Sequence, residues 1–69
     1  LEFVIRENSP VIGKTLSELN LKKNLLVGCL NRNGVVRIPR GHDTIQIGDT
    51  VVIVTTNKGL RDISDILEK

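Results

Sequence analysis

Two hydrophobic spacings organise this chain. From Leu25 to Leu30 and from Val51 to Val54, apolar residues occupy successive positions, the pattern of strands that need cover on both faces. Glu2 to Arg6 alternates instead, with Phe3 and Ile5 on one side and Glu2, Val4 and Arg6 on the other. That alternation predicts a short strand, ended by the turn formers Asn8, Ser9 and Pro10.

The segment Gly13 to Leu21 carries Thr15 and Glu18 at the spacing of a capping box, in which each side chain bonds the other's backbone N–H. A single helical turn is expected there, anchored by Leu16, Leu19 and Leu21 and followed by a polar exit through Asn20, Lys22, Lys23 and Asn24. The next strand is predicted over Leu25 to Asn31. Gly28 sits at its middle, where a missing side chain either weakens the strand or admits another backbone. Asn33-Gly34 then predicts a hairpin into Val35 to Ile38, because both central residues of a type I′ turn need positive φ.

Pro39 ends that strand by removing a donor, and Arg40 to Thr44 reads as a loop. Ile45 and Ile47 form a brief alternating pair before a turn at Gly48-Asp49. Thr50 to Thr55 is β-branched throughout, which predicts a further strand. Asn57 is placed to cap a helix from Lys58 to Glu68, whose Leu60, Ile63, Ile66 and Leu67 fall on one face.

The predicted order is β-α-β-β-β-α: a two-layer α+β fold, with a small, mostly antiparallel sheet and one C-terminal helix packed on one face. One such helix covers one side of the sheet and leaves the other apolar side bare. A bare apolar face marks an association surface. There is no internal repeat, linker or low-complexity segment.

Length sharpens that expectation. At 69 residues the chain is a single domain with a small core, burying roughly 60% of the surface its unfolded form exposes. One cysteine excludes an internal disulfide, and one histidine with one cysteine excludes the usual four-ligand structural zinc sets within one chain. Oligomerisation or attachment to a larger protein is the remaining support. The chain opens on a strand without a methionine, so it is expected to be a module of a longer polypeptide. No apolar run approaches the roughly 20 residues of a membrane-spanning helix, so direct membrane insertion is not expected.

Ten Lys and Arg against eight Asp and Glu give a net charge of +2, and Phe3 is the one aromatic residue. Neither a broad cationic field nor a stacking platform is available, which argues against a nucleic-acid partner. Gly13-Lys14-Thr15 resembles the end of a phosphate-binding P-loop, but position 8 is Asn8 where the first glycine should stand, and the capping box accounts for these residues. His42 beside Asp43 lacks a second histidine, a carboxylate cluster or a nucleophile, so neither a metal site nor an enzyme is expected. Cys29, within an apolar strand, reads as a small buried hydrophobe. Arg32, Arg37, Arg40 and His42 cluster at strand ends and in the following loop. They are either a solvated rim or a phosphate-reading one, since guanidinium groups suit bidentate contacts with phosphate.

Taken together, Ser9 to Leu21 (SPVIGKTLSELNL), the apolar strand ending in Asn31-Arg32, Val36-Arg37-Ile38-Pro39 and Ile47 to Val54 (IGDTVVIV) resemble the C-terminal subdomain of the regulator of potassium conductance, also called the TrkA-C domain. The resemblance spans essentially the whole chain. It implies a ligand-sensing, homodimerising module in a cytoplasmic regulator of a membrane-embedded potassium channel or transporter, with no cofactor of its own. In some members, paired subdomains bind cyclic di-AMP in a groove at their two-fold interface. By that resemblance the lining positions here are Leu26, Val27, Arg32, Pro39 and His42. The alternative is a purely structural dimerisation module on a transporter or antiporter, with no small ligand.

Overall fold

The computed structural model describes residues 1–68. Four strands are present among the described residues: β1, Glu2–Val4; β2, Leu25–Arg32; β3, Val35–Arg37; and β4, Thr50–Thr55. They form one sheet in the order β1-β4-β2-β3, with every neighbouring pair antiparallel. The two runs with successive apolar residues, β2 and β4, therefore lie side by side at its centre. Asn33 and Gly34 both take positive φ between Arg32 and Val35, as the hairpin signal requires.

Gly28 is the extra residue of a β-bulge: Val27 pairs with Ile53, and Cys29 pairs with Val52. A bulge switches the parity of a strand. Val27 and then Leu30 thus share the inner face with Ile53 and Val51, while Leu26 and Cys29 share the outer face with Val54 and Val52. A Cβ on residue 28 would stand 3.1 Å from Cγ2 of Val54 and 3.5 Å from the carbonyl oxygen of Val52, so glycine fits this close passage of two strands.

The inner face is covered by loops and turns. Ile5, Val11, Leu19, Leu30, Ile45, Val51, Ile53, Ile63 and Ile66 make up the buried core, with Phe3, Leu16, Leu21, Leu60 and Leu67 packed around it. The capping box at Thr15 forms, but it opens only a hydrogen-bonded turn, closed by the N–H groups of Glu18 and Leu19 on the carbonyl of Thr15, and not the first helix of the expected β-α-β-β-β-α order. The N–H of Thr15 donates to Oε1 of Glu18 at 2.9 Å, and the N–H of Glu18 donates to Oγ1 of Thr15 at 3.3 Å. Ile45 is buried and bridges Ile12 in parallel, whereas Ile47 is exposed, because the turn before Asp49 carries the chain away from the core.

The expected helix from Lys58 to Glu68 does not form. A four-residue 3₁₀ turn, Ile63–Ile66, stands in its place, capped by Asp62 and Asp65 rather than by Asn57. Three features account for the difference. Gly59 has a φ of +83°, a left-handed conformation that ends a helix. Asp62 caps the N–H of Ile63, and Asp65 accepts the N–H groups of Arg61 and Asp62, so the backbone is diverted at the point where the helix should continue. Beyond the turn, the chain runs beside Asn20 to Lys22: the N–H of Lys22 donates to Ile66, and that of Glu68 donates to Asn20. Ile63 and Ile66 still reach the core, since residues i and i+3 of a 3₁₀ turn point the same way. Asn57 instead donates from Nδ2 to the carbonyl of Lys23.

Candidate functional site

The densest polar arrangement lies where the β2–β3 hairpin meets the loop that follows Pro39. Arg32 follows Leu30 by two positions on the inner side of β2, and Asp49 precedes Val51 by two. Nε of Arg32 donates to Oδ1 of Asp49 at 2.8 Å, and Nη2 donates to Oδ2 at 2.8 Å. Nη2 also donates to the carbonyl of Thr44 at 3.0 Å. Oδ2 of Asp49 accepts the N–H of Gln46 as well, closing the turn before β4. Asp49 is 1% exposed, so it is a buried carboxylate compensated by a two-pronged cation and a backbone donor. These contacts hold its carboxyl below the ordinary range, the Arg32 hydrogen bonds being the main cause, and they raise the guanidinium in turn.

The loop from Pro39 to Thr44 is tied down on its other side. Oγ of Ser17 donates to the carbonyl of Gly41 at 2.6 Å, the N–H of Ser17 donates to the same oxygen at 2.9 Å, and the N–H of Leu16 donates to the carbonyl of Asp43. Within the loop, Oδ2 of Asp43 accepts the N–H of Arg40 at 2.7 Å. That bond is the first cause of the lowered pKa of Asp43, with the charges of Arg37 and Arg32 adding to it.

Of the five positions expected to line a ligand groove, three gather at this end. Arg32 is joined to the loop through Thr44, Pro39 opens the loop, and the exposed His42 ring stands with Nε2 3.8 Å from Oδ1 of Asp43. Leu26 and Val27 do not join them. They lie toward the opposite end of β2, about 20 Å along the strand from Arg32, and on opposite faces of the sheet, Leu26 outward and Val27 inward. One chain alone therefore does not assemble these five into a single pocket. Asp49 was missed by sequence reasoning, which read it only as part of a turn. Its signal was parity: an acid and a base each continue the inward-facing alternation of a neighbouring strand, and a charge pointed at a core needs a partner.

The outer face of the sheet carries the second candidate surface. Val4, Leu26, Val36 and Val54 are exposed there by 59%, 54%, 65% and 55%, beside the half-buried Val52 and Cys29. Among the described residues no group of three or more His, Cys, Asp or Glu is placed to hold a metal ion. Nor is any helix long and apolar enough to cross a membrane.

Comparison with known proteins places this architecture. The family model for the TrkA-C domain matches residues 1–68. A Trk system potassium uptake protein TrkA homolog of Pyrococcus abyssi is 34% identical over 70 residues, covering 100% of this chain and 31% of that protein. A homolog of the same name from Archaeoglobus fulgidus is 32% identical over 66 residues, covering 96% of this chain and 15% of that protein. The chain thus spans under a third of the length of these relatives. A solved structure described as "Structure of RCK domain with cda" shares the fold, with a TM-score of 0.75 over 99% of this chain and 96% of that one, at 14% identity. The match of the family model over almost every residue, on a bulged four-stranded sheet of this topology, makes the chain a member of the TrkA-C domain family.

Proposed function

We propose that this domain is the regulatory, dimerising and ligand-sensing part of a cytoplasmic potassium-transport regulator and acts without catalysis. The carrying observation is the outer sheet face, where four large aliphatic side chains are more than half exposed. A second copy seated there removes that surface from water, since the middle of the face is Val, Leu, Thr and Cys, with the exposed Glu2 and Asn31 beside them. An effector in the groove between two copies then favours one arrangement of the pair. The attached channel or transporter responds to that shift in population.

The effector class supported best is a cyclic dinucleotide such as cyclic di-AMP, with Leu26, Val27, Arg32, Pro39 and His42 at the groove. Two observations support it. The structural neighbour of the same fold is described with "cda". Arg32 keeps Nη1 for an incoming phosphate, since Nε and Nη2 are committed to Asp49 and Thr44. The other reading, a structural dimerisation module on a transporter or antiporter with no small ligand, rests on the same bare face alone.

Titration calorimetry against cyclic di-AMP and a panel of nucleotides distinguishes the two. Saturable heat that disappears in His42→Ala, and in an Arg32→Ala protein shown to be folded, supports the effector reading. A dimer that gives no heat supports the structural one. Sedimentation of a monomer at high micromolar concentration removes both.

A further inference from the structure

β3 is the edge of the sheet, and its outer side is bare. In a hairpin closed by two turn residues, the pair next to the turn exchanges hydrogen bonds and the following pair does not. Arg32 and Val35 are the closing pair, so the N–H and C=O of Val36 point away from β2; Ile38 lies one residue past the end of β3, and extending the strand by that residue gives its groups the same direction. No backbone hydrogen bond outside the ladder reaches this side among the described residues. The side chains are equally uncovered: Val35 is 59%, Val36 65% and Ile38 81% exposed.

Proteins ordinarily blunt such an edge by making it short, polar or covered. β3 is short, three residues ending in Arg37, yet its other side chains and Ile38 after it are apolar and exposed, flanked by the exposed cations Arg37 and Arg40. The carboxylates nearest in sequence, Asp43 and Asp49, are already committed, one to the N–H of Arg40 and the other to Arg32 and the N–H of Gln46. The edge thus offers main-chain donors and acceptors, aliphatic contacts and, with Arg32, Arg37 and Arg40 against Asp43 and Asp49, a local excess of positive charge in one strip.

We propose that the free edge of β3 receives an extended, acidic segment of a partner protein as a fifth strand. Main-chain bonds to Val36 and Ile38 supply the pairing, and carboxylates beside Arg37 and Arg40 supply the selection. A second copy of this chain is the poorer occupant. Antiparallel pairing of β3 with itself about Val36 brings the two Arg37 side chains onto one face as diagonal neighbours, about 8 Å apart. That is within the screening length of physiological salt, and Arg40 of each copy adds to the repulsion. The pairing uses the main-chain edge of β3, but Val36 also belongs to the outer sheet face, so a second copy seated on that face competes for its side chain.

The test uses the whole chain and two capped peptides about eight residues long, one alternating Val with Glu and the other alternating Val with Lys. The acidic peptide should bind at least about tenfold more tightly, weaken as salt rises, and slow amide exchange at Val36 and Ile38. Val36→Pro removes only an outward N–H and should abolish binding. Arg37→Glu, at an exposed position, should shift the preference toward the basic peptide, and it keeps the proposal testable if the proline variant does not fold. Absence of acidic-peptide binding, equal binding of both peptides, or undiminished binding by a folded Val36→Pro protein would overturn the idea. So would protection of the Val36 amide that grows with protein concentration in the absence of peptide, which would make a second copy the occupant.

Discussion

Arg32 and Asp49 meet through two parallel hydrogen bonds of 2.8 Å, joining the tip of the β2–β3 hairpin to the turn that launches β4. Seventeen residues separate them in sequence. Because Nη2 also holds the carbonyl of Thr44, this one side chain fixes both ends of the segment from Thr44 to Asp49. The loop that carries Pro39 and His42 is therefore positioned by a side chain at the end of β2, on the far side of the hairpin from the strand it follows.

Replacing Asp49 with Asn keeps the shape but removes the charge and one of the strong acceptors. Hydrogen bonds to charged groups contribute about 1.5–3 kcal/mol each, so Asp49→Asn should cost about 2–3 kcal/mol. Urea unfolding followed by circular dichroism reads this directly, a probe suited to a chain without Trp or Tyr. An unchanged midpoint would mean that the pair holds nothing in place.

Acid should destabilise the domain through the same carboxylate. Asp49, Asp43 and Glu18 are all held below their ordinary values, by the Arg32 hydrogen bonds, the Arg40 N–H and the Thr15 N–H respectively. A depressed folded pKa gives stability that is complete above the unfolded value, 3.8 for Asp and 4.5 for Glu, and is lost as pH falls through the folded value. These three groups should therefore add no slope from about pH 7 to about pH 6, and a falling urea midpoint below about pH 4. In Asp49→Asn the fall should be shallower.

Gly41 and Ser17 should behave as a coupled pair. A Cβ on residue 41 would lie 2.6 Å from Oγ of Ser17, while the next nearest atom, Cβ of Ser17, is 3.8 Å away. Gly41→Ala expels the hydroxyl and breaks its bond to the Gly41 carbonyl, at an expected cost of about 1 kcal/mol. In a Ser17→Ala background the same substitution meets only ordinary contact. A double-mutant cycle should return a coupling energy of about 1 kcal/mol; strict additivity would count against the contact.

The 3₁₀ turn supplies the last prediction. Ile66 is fully buried on an element of only four residues. Ile66→Ala should lower stability by about 3 kcal/mol, a large fraction of the total for so small a domain. A change in the surface-exposed Leu26 to Ala should have little effect on the isolated chain, and the contrast between the two in one urea series is the measurement.

Local signals carried much of this fold into the sequence. Asn33-Gly34 needs positive φ at two adjacent residues, so its hairpin is written in residue type alone. Thr15 and Glu18 cap each other three residues apart, and the β-branched run Thr50–Thr55 has no good alternative to a strand. The terminal helix failed for the opposite reason. Its apolar spacing suited a helix, but Gly59, the Asp62 and Asp65 caps and the pairing beside Asn20 to Lys22 together outweighed a periodicity shared by a single 3₁₀ turn. Of the five groove positions, residue type could nominate Arg32, Pro39 and His42 as one neighbourhood. The bulge at Gly28 decided that Leu26 faces outward, away from them.

The sequence by itself determined where this chain turns, which stretches extend and which side chains have to be hidden, because those properties depend on residues within a few positions of one another. Tertiary structure alone decided that Asp49 is the partner of Arg32, that β3 lies at the edge of the sheet, and that the outer apolar face has nothing over it among the described residues. Each of those depends on strand order and register, which bring together groups whose separation along the chain carries no local signal.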